Sequence, residues 1–285
     1  MPRPLRDATF ADLATDPDPW EQILTAPVPA DGLPLEQDPT APDTRRTRRP
    51  RRSVTSRART VVGELLVTSA VLAGLYLLWL LWWTDVQAEE VHEEIVASLE
   101  WAQPSAPPAD RPRKEPGPGP AIAEPADGET FAVLHVPRWG YDYARPVTQG
   151  VDRATVLDPK GIGHYPGTAM PGQVGNFAVA AHRVTYGKPF NRVAELQVGD
   201  PLIVQTEDAW YVYRVTSSDV VLPGDVEVIA PNPGDPTGQA VEEIITLTTC
   251  HPMFSARERF IVHGILDYWW PATSGTPAEL TGQEA

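Results

Sequence analysis

Between Leu65 and Trp83 the chain reads Leu-Leu-Val-Thr-Ser-Ala-Val-Leu-Ala-Gly-Leu-Tyr-Leu-Leu-Trp-Leu-Leu-Trp-Trp, with no charged residue. A helix of roughly 20 apolar residues spans a hydrocarbon core, so this run divides the rest of the chain into what lies before and after a membrane. Trp82 and Trp83 stand where an interfacial aromatic belt belongs, and Glu64 at the other end can reach the headgroups. The flanks differ in sign. Arg45, Arg46, Arg48, Arg49, Arg51, Arg52, Arg57 and Arg59 precede the run, and Asp85, Glu89, Glu90, Glu93 and Glu94 follow it. Basic flanks stay in the cytoplasm. The expected topology is a single pass of the cell membrane, with the N-terminus cytoplasmic and the part after the span extracellular. A cleavable signal peptide fits less well, because the segment is long, lies far from residue 1 and lacks a small-residue cleavage site. A paired-arginine export signal shares the basic run, but the apolar segment is too long and too hydrophobic for one.

The net charge of -15 averages two unlike regions and says little about nucleic acid. The basic run lacks interleaved aromatics, so it reads as juxtamembrane charge and no nucleic-acid partner is expected. Five segments follow. Residues 1–60 form a disordered cytoplasmic tail rich in Pro, Asp, Ala and Arg. Residues 61–84 are the transmembrane helix. Residues 85–128 begin as an acidic helix, with Val91, Ile95 and Leu99 at four-residue spacing, and continue as a Pro/Gly-rich extracellular stalk over Pro104 to Pro120. At about 3 Å per residue that stalk reaches on the order of 50 Å. Residues 129–271 have the composition and length of one ordinary domain, and residues 272–285 form a loose polar tail. Within the domain, β-like runs cover Phe131 to Val136, Asn176 to Ala181, Leu202 to Thr206, Trp210 to Thr216, Ile244 to Cys250 and Arg259 to Leu266. Gly and Pro punctuate them, which argues an antiparallel barrel or sandwich. Helical turns are expected over Asp152 to Leu157 and Phe190 to Leu196.

Cys250 is the only cysteine. An internal disulfide is therefore excluded, and His135, His164, His182, His251 and His263 show no zinc-ligand spacing. Cys250 ends the β-branched run Ile244-Ile245-Thr246-Leu247-Thr248-Thr249. Two readings stand: an activated nucleophile at a strand tip, or a small buried hydrophobe. A thiol attacks a carbonyl as thiolate, and a free cysteine has a pKa of about 8.5, so it needs a base or a cationic neighbour. His251 is adjacent, but successive strand side chains point to opposite faces. His263 lies within the next strand, and His135 and His164 sit in early segments beside prolines. His182 ends an apolar strand and opens the loop Arg183-Val-Thr-Tyr-Gly-Lys-Pro189, a position that suits a base held by a rigid scaffold. Arg257 and Arg259 are two apart and share a strand face, so spacing does not choose which one forks toward a developing negative charge.

Asn176 to Phe190, with Ala-His-Arg-Val-Thr-Tyr-Gly-Lys-Pro-Phe, and Thr246 to Pro252, with Thr-Leu-Thr-Thr-Cys-His-Pro, resemble the two hallmark motifs of sortases. Gly161-Ile-Gly-His-Tyr-Pro-Gly-Thr168 resembles the segment before the histidine in that family. The resemblance covers about Phe131 to Leu266. The basic tail, the single span and the Leu-Thr-Thr-Cys pattern look most like class E, the housekeeping type of high-GC Gram-positive bacteria. It implies an all-β fold: an eight-stranded barrel with short helices, preceded by one transmembrane helix. It implies Cys250 as nucleophile, His182 as general acid/base, and Arg259, favoured over Arg257 by class E spacing, as the arginine that positions substrate and stabilises the oxyanion. Thr249 lines the substrate groove. Tyr186 resembles the aromatic that helps class E enzymes prefer Ala over Pro in the sorting motif. Ala181 departs from the Gly of many relatives. No cofactor is expected, and no cluster looks like the acidic calcium site of some class A relatives.

The implied reaction is cleavage of a C-terminal Leu-Ala-x-Thr-Gly or Leu-Pro-x-Thr-Gly motif between Thr and Gly, with transfer of the acyl group to an amine of a peptidoglycan precursor. The partners are secreted proteins bearing that sorting signal, the precursor amine and the lipid bilayer. Two other classes compete: an envelope cysteine peptidase that passes the acyl group to water, and a catalytically silent envelope-binding module.

Overall fold

The computed structural model describes residues 54–103 and 119–282. Residues 1–53 of the expected disordered tail and almost all of the Pro/Gly stalk lie outside the described residues, while residues 54–60, read as part of that tail, are helical. The chain divides into two units, Met1–Thr60 and Val61–Ala285; of the first, residues 54–60 are described, and all are helical.

Helix α1 runs Val54–Ser98, 45 residues without a break. The apolar run and the acidic stretch after it are therefore one element. Leu66, Leu72 and Trp82 are 66%, 61% and 64% exposed. By length and composition this helix is long and apolar enough to cross a membrane. The last turns behave differently. Ala88 and His92 are buried. Asp85 binds Lys188 Nζ at 2.9 Å and accepts a bond from the Gly187 N–H at 3.3 Å, while Glu89 pairs with Arg145. The His92 ring lies against Gly161 and Gly187, where a Cβ would come within 2.9 Å and 3.0 Å of it. Both glycines also have positive φ, 91° and 71°, so close approach and backbone conformation both require glycine there. The start of the expected acidic helix thus packs against the barrel residues that follow.

Among the described residues eight strands close into a barrel in the order β1-β2-β3-β4-β7-β8-β6-β5. They are β1 (Thr130–His135), β2 (Ala144–Gln149), β3 (Ile162–His164), β4 (Gly175–Ala181), β5 (Pro201–Gln205), β6 (Ala209–Val221), β7 (Glu243–His251) and β8 (Glu258–Pro271). Each β-like run of the sequence is a strand, while β2 and β3 escaped the pattern. The expected antiparallel pairing needs correction: β2–β3 and β4–β7 pair parallel. Closure removes the free edges of the sheet.

Alternate residues of the strands fill the barrel. Leu134, Val147, Phe177, Leu202, Tyr211, Ile245, Leu247 and Val262 are all essentially buried in one cluster, and burying each aliphatic side chain contributes about 1.5–3 kcal/mol. The Tyr213 hydroxyl, also inside, accepts a bond from the Gly172 N–H at 2.6 Å. Ile203, Trp210, Val212, Tyr268 and Trp270 form a second cluster that Leu280 packs against.

That last contact belongs to the tail read as loose. Residues Ala278–Thr281 form a helical turn, and Glu279 binds Arg214 at 2.6 Å and the Tyr268 hydroxyl at 2.7 Å. Both expected helical turns are present in shortened form: a π-helical turn over Arg153–Leu157, continued by one α-turn over Asp158–Lys160, and a 3-10 turn over Val193–Glu195. Asp152 caps the first by accepting a bond from the Thr155 N–H at 2.9 Å, which satisfies a backbone donor that the helix leaves unpaired.

Candidate active site

The pairing of β4, β7 and β8 builds the site. β4 and β7 run parallel in a register that includes Val179↔Leu247 and Ala180↔Thr248. Extended by two residues, that register sets His182 level with Cys250. β8 returns antiparallel beside β7 and places Arg259 directly opposite Cys250. Neighbouring strands lie about 4.8 Å apart, so three residues distant in sequence meet along one rim of the barrel.

Cys250, His182, Arg259, Thr249 and Tyr165 line a common cavity of about 450 Å³. Cys250 is a free thiol and only partly buried, unlike a core cysteine. Thr249 Oγ1 donates to the Ala181 carbonyl at 2.7 Å, tying the end of β7 to the residue before His182. Arg259 Nη1 donates to the carbonyls of Ala256 and Glu258, both at 3.0 Å. A guanidinium carries five N–H donors, and among the described residues no hydrogen bond engages Nε or Nη2. Arg257 is not among the cavity-lining residues.

The loop after β4 is stiffened from within. The Phe190 N–H donates to the His182 carbonyl at 3.0 Å, and Asn191 Nδ2 to the Arg183 carbonyl at 2.8 Å. Tyr186 and Lys188 both have positive φ, 54° and 38°. Non-glycine residues adopt that region at a cost of about 1–3 kcal/mol each where it is strained, which the surrounding contacts must offset. The Tyr186 ring centroid lies 5.1 Å from that of His182.

The contacts made here by Asp158, Arg153 and Arg183 carried no signal in the sequence. His182 Nε2 is 2.7 Å from Asp158 Oδ1. Arg153 Nε donates to the same oxygen at 3.2 Å, which raises the Arg153 guanidinium above its ordinary value. Arg183 turns away from the cavity. Its Nη1 lies 3.2 Å from the Cys250 carbonyl oxygen and 2.8 Å from His251 Nδ1, and its guanidinium carbon sits 5.4 Å from the centre of the Phe260 ring. Burial lowers the Arg183 guanidinium, while the neighbouring Cys250 works against that.

The other histidines are structural. His251 is still within β7, so it faces away from Cys250, where Arg183 holds it. His164 is fully buried between Gln149, at 2.7 Å, and the Ala169 carbonyl, at 3.1 Å. His135 bonds Gln205 at 3.1 Å, and burial pushes it down to about 4. His263 bonds Thr246 at 2.9 Å, and burial lowers it too. Groups held neutral by burial are poor proton carriers near neutrality. Among the described residues no set of three His, Cys, Asp or Glu side chains is placed to hold a metal ion.

A free thiol, an imidazole and a guanidinium around one cleft can carry out acyl transfer through a covalent thioester. The Sortase domain family model matches residues 134–267. Sortase SrtE1 of Streptomyces coelicolor is 36% identical over 261 residues, covering 86% of this chain and 69% of that protein. Sortase SrtE2 of the same organism is 32% identical over 236 residues, covering 77% of this chain and 85% of that one. Among solved structures, the SrtA sortase from Actinomyces oris superposes with a TM-score of 0.56 at 41% identity, covering 59% of this chain and 96% of that chain.

Proposed function

The chain belongs to the sortase family of cysteine transpeptidases, most similar to class E, and from that membership we propose that it cleaves a C-terminal sorting motif between Thr and Gly and transfers the acyl group to an amine at the cell surface. The observation that supports this reading is that His182, Cys250 and Arg259 line one cavity, with Arg259 directly opposite Cys250 in the β7–β8 register.

In this reading the Cys250 thiolate attacks the Thr carbonyl of a Leu-Ala-x-Thr-Gly or Leu-Pro-x-Thr-Gly peptide. Negative charge then develops on the carbonyl oxygen, and the free donors of Arg259 together with a backbone N–H stabilise it. His182, as imidazolium, gives its proton to the departing Gly amine. The thioester waits in the cavity until an incoming amine attacks, loses a proton to His182 and expels the Cys250 thiolate, which restores the starting thiolate and imidazolium. Thr249 borders the groove that receives the motif, and Tyr186, which is not among the cavity-lining residues but lies near His182, contacts the second motif position in this reading. The amine belongs to a peptidoglycan precursor, and the client is a secreted protein. α1 supports a membrane anchor, and the basic residues before it favour a cytoplasmic N-terminus and an extracellular barrel.

The test uses the full-length protein in detergent with fluorogenic peptides of both motifs, with and without triglycine. Cleavage at Thr–Gly, with an amide product replacing the acid when triglycine is present, is the expected result. Cleavage that yields acid alone at every amine concentration contradicts transfer and favours the peptidase. No cleavage of either motif, with Cys250 resistant to a small thiol reagent, favours the silent binding module.

A further inference from the structure

The geometry points to Asp158 as a positioning residue for the reaction: its carboxylate accepts the Nε2–H of His182 and fixes one tautomer and orientation of the ring, leaving Nδ1 to exchange the proton with substrate. The inference rests on the general acid/base role given to His182 above.

The contact is 2.7 Å long, and the two side chains are only 17% and 22% exposed. An ionised carboxylate can only accept a hydrogen bond, so a bond at that distance places the hydrogen on Nε2. With Nε2 committed, Nδ1 is the remaining site for proton traffic. The imidazolium passes its Nδ1 proton to the leaving amine and regains one from the incoming amine. Asp158 itself neither gives nor takes a proton. The same division of labour orients the histidine of a Ser-His-Asp triad.

The position of Asp158 is built rather than accidental. Asp152 caps the helical turn that leads into it, and Arg153 shares its Oδ1 at 3.2 Å. His92 of α1 is fully buried and wedged between Gly161, three residues after Asp158, and Gly187, five after His182. One side chain thus braces both segments that carry the pair.

The charged and titratable groups around His182 are Asp158 and Arg153 from the β2–β3 connection, Tyr186 from its own loop, and Cys250 and Arg259 across the cavity. Of these, Asp158 is the one at hydrogen-bond distance from a His182 ring nitrogen, so it is the group that sets which nitrogen carries the hydrogen.

Full-length wild type, Asp158→Asn and Asp158→Glu in detergent decide the matter by two readouts. One is the pair of constants kcat and KM for the preferred peptide with triglycine. The other is the tautomer of the isotope-labelled His182 ring, read from its nitrogen chemical shifts by NMR in the resting protein, which needs no turnover. Asparagine keeps the shape, but its amide can donate to Nε2 as well as accept from it. The neutral wild-type ring is expected to carry its hydrogen on Nε2. Asp158→Asn is expected to lower kcat about tenfold or more with KM within about twofold, and to mix the two tautomers. Asp158→Glu is expected to recover most of both. Tautomer signatures that superimpose overturn the inference. So does a loss of kcat with the tautomer unchanged, which marks a merely structural role. A gain in kcat overturns it too, by making Asp158 a restraint on His182. A wild type without Cys250-dependent cleavage removes the proposed function, while the tautomer signature still decides whether the Asp158–His182 pair holds.

Discussion

Cys250→Ala in the full-length protein is expected to reduce Thr–Gly cleavage by roughly 10⁴-fold or more, to the level of background, since loss of a nucleophile removes the covalent route altogether. The chain has one thiol, so no second cysteine can take over. The change is small in volume and falls at a partly exposed position, so the barrel is expected to melt within a few degrees of wild type. Cys250→Ser sharpens the test. It keeps size and polarity but replaces a thiol by an alcohol that ionises far less readily. A serine variant as inactive as the alanine one assigns the effect to thiolate chemistry rather than packing. The measurement is the initial rate of peptide cleavage, with a thermal melt as control. Cleavage by Cys250→Ala within tenfold of wild type is incompatible with the account.

Arg259→Ala is expected to lower kcat by about 10²–10³-fold, the effect of removing an oxyanion donor, whereas Arg257→Ala stays near wild type. The contrast is a prediction of strand register. Arg259 pairs with Cys250 across β7 and β8, and it alone of the two lines the cavity. Arg259→Lys keeps the charge but not the fork. The Ala256 and Glu258 carbonyls occupy Nη1, no hydrogen bond among the described residues engages Nε or Nη2, and one ammonium cannot serve both sides in that way. Lysine is therefore expected to recover only a small part of the loss. Steady-state kinetics on the three variants checks this, and equal losses for Arg257→Ala and Arg259→Ala contradict it.

What could be read from the chain divides along physical lines. The apolar span and the longer strands were legible because each is a local periodic pattern. Cys250 and His182 were legible as candidates because each closes a strand and adjoins a loop. Their meeting was not, because side-chain alternation is the same in parallel and antiparallel strands, and only long-range pairing makes β4 and β7 parallel. The same register separates Arg259 from Arg257, which period-two spacing leaves on one face. β2 and β3 were missed because they are short and interrupted by Pro146 and Gly163. Asp158 sits in a helical turn beside Pro159, like any solvated aspartate, and nothing local announces that His182 will approach it. The acidic end of α1 reads as a solvated face, but Lys188 and Arg145, far along the chain, recruit Asp85 and Glu89. The polar tail was misread for the same reason, since Glu279 and Leu280 find their partners only on the folded barrel.

The most direct test of the central claim is the intact mass of full-length enzyme mixed with its preferred sorting peptide in the absence of amine. The account predicts an adduct equal to the peptide up to and including Thr, mapped by proteolysis to Cys250, which disappears on adding triglycine as the amide product appears. Cleavage of the peptide with no adduct, or an adduct on another residue, would contradict it.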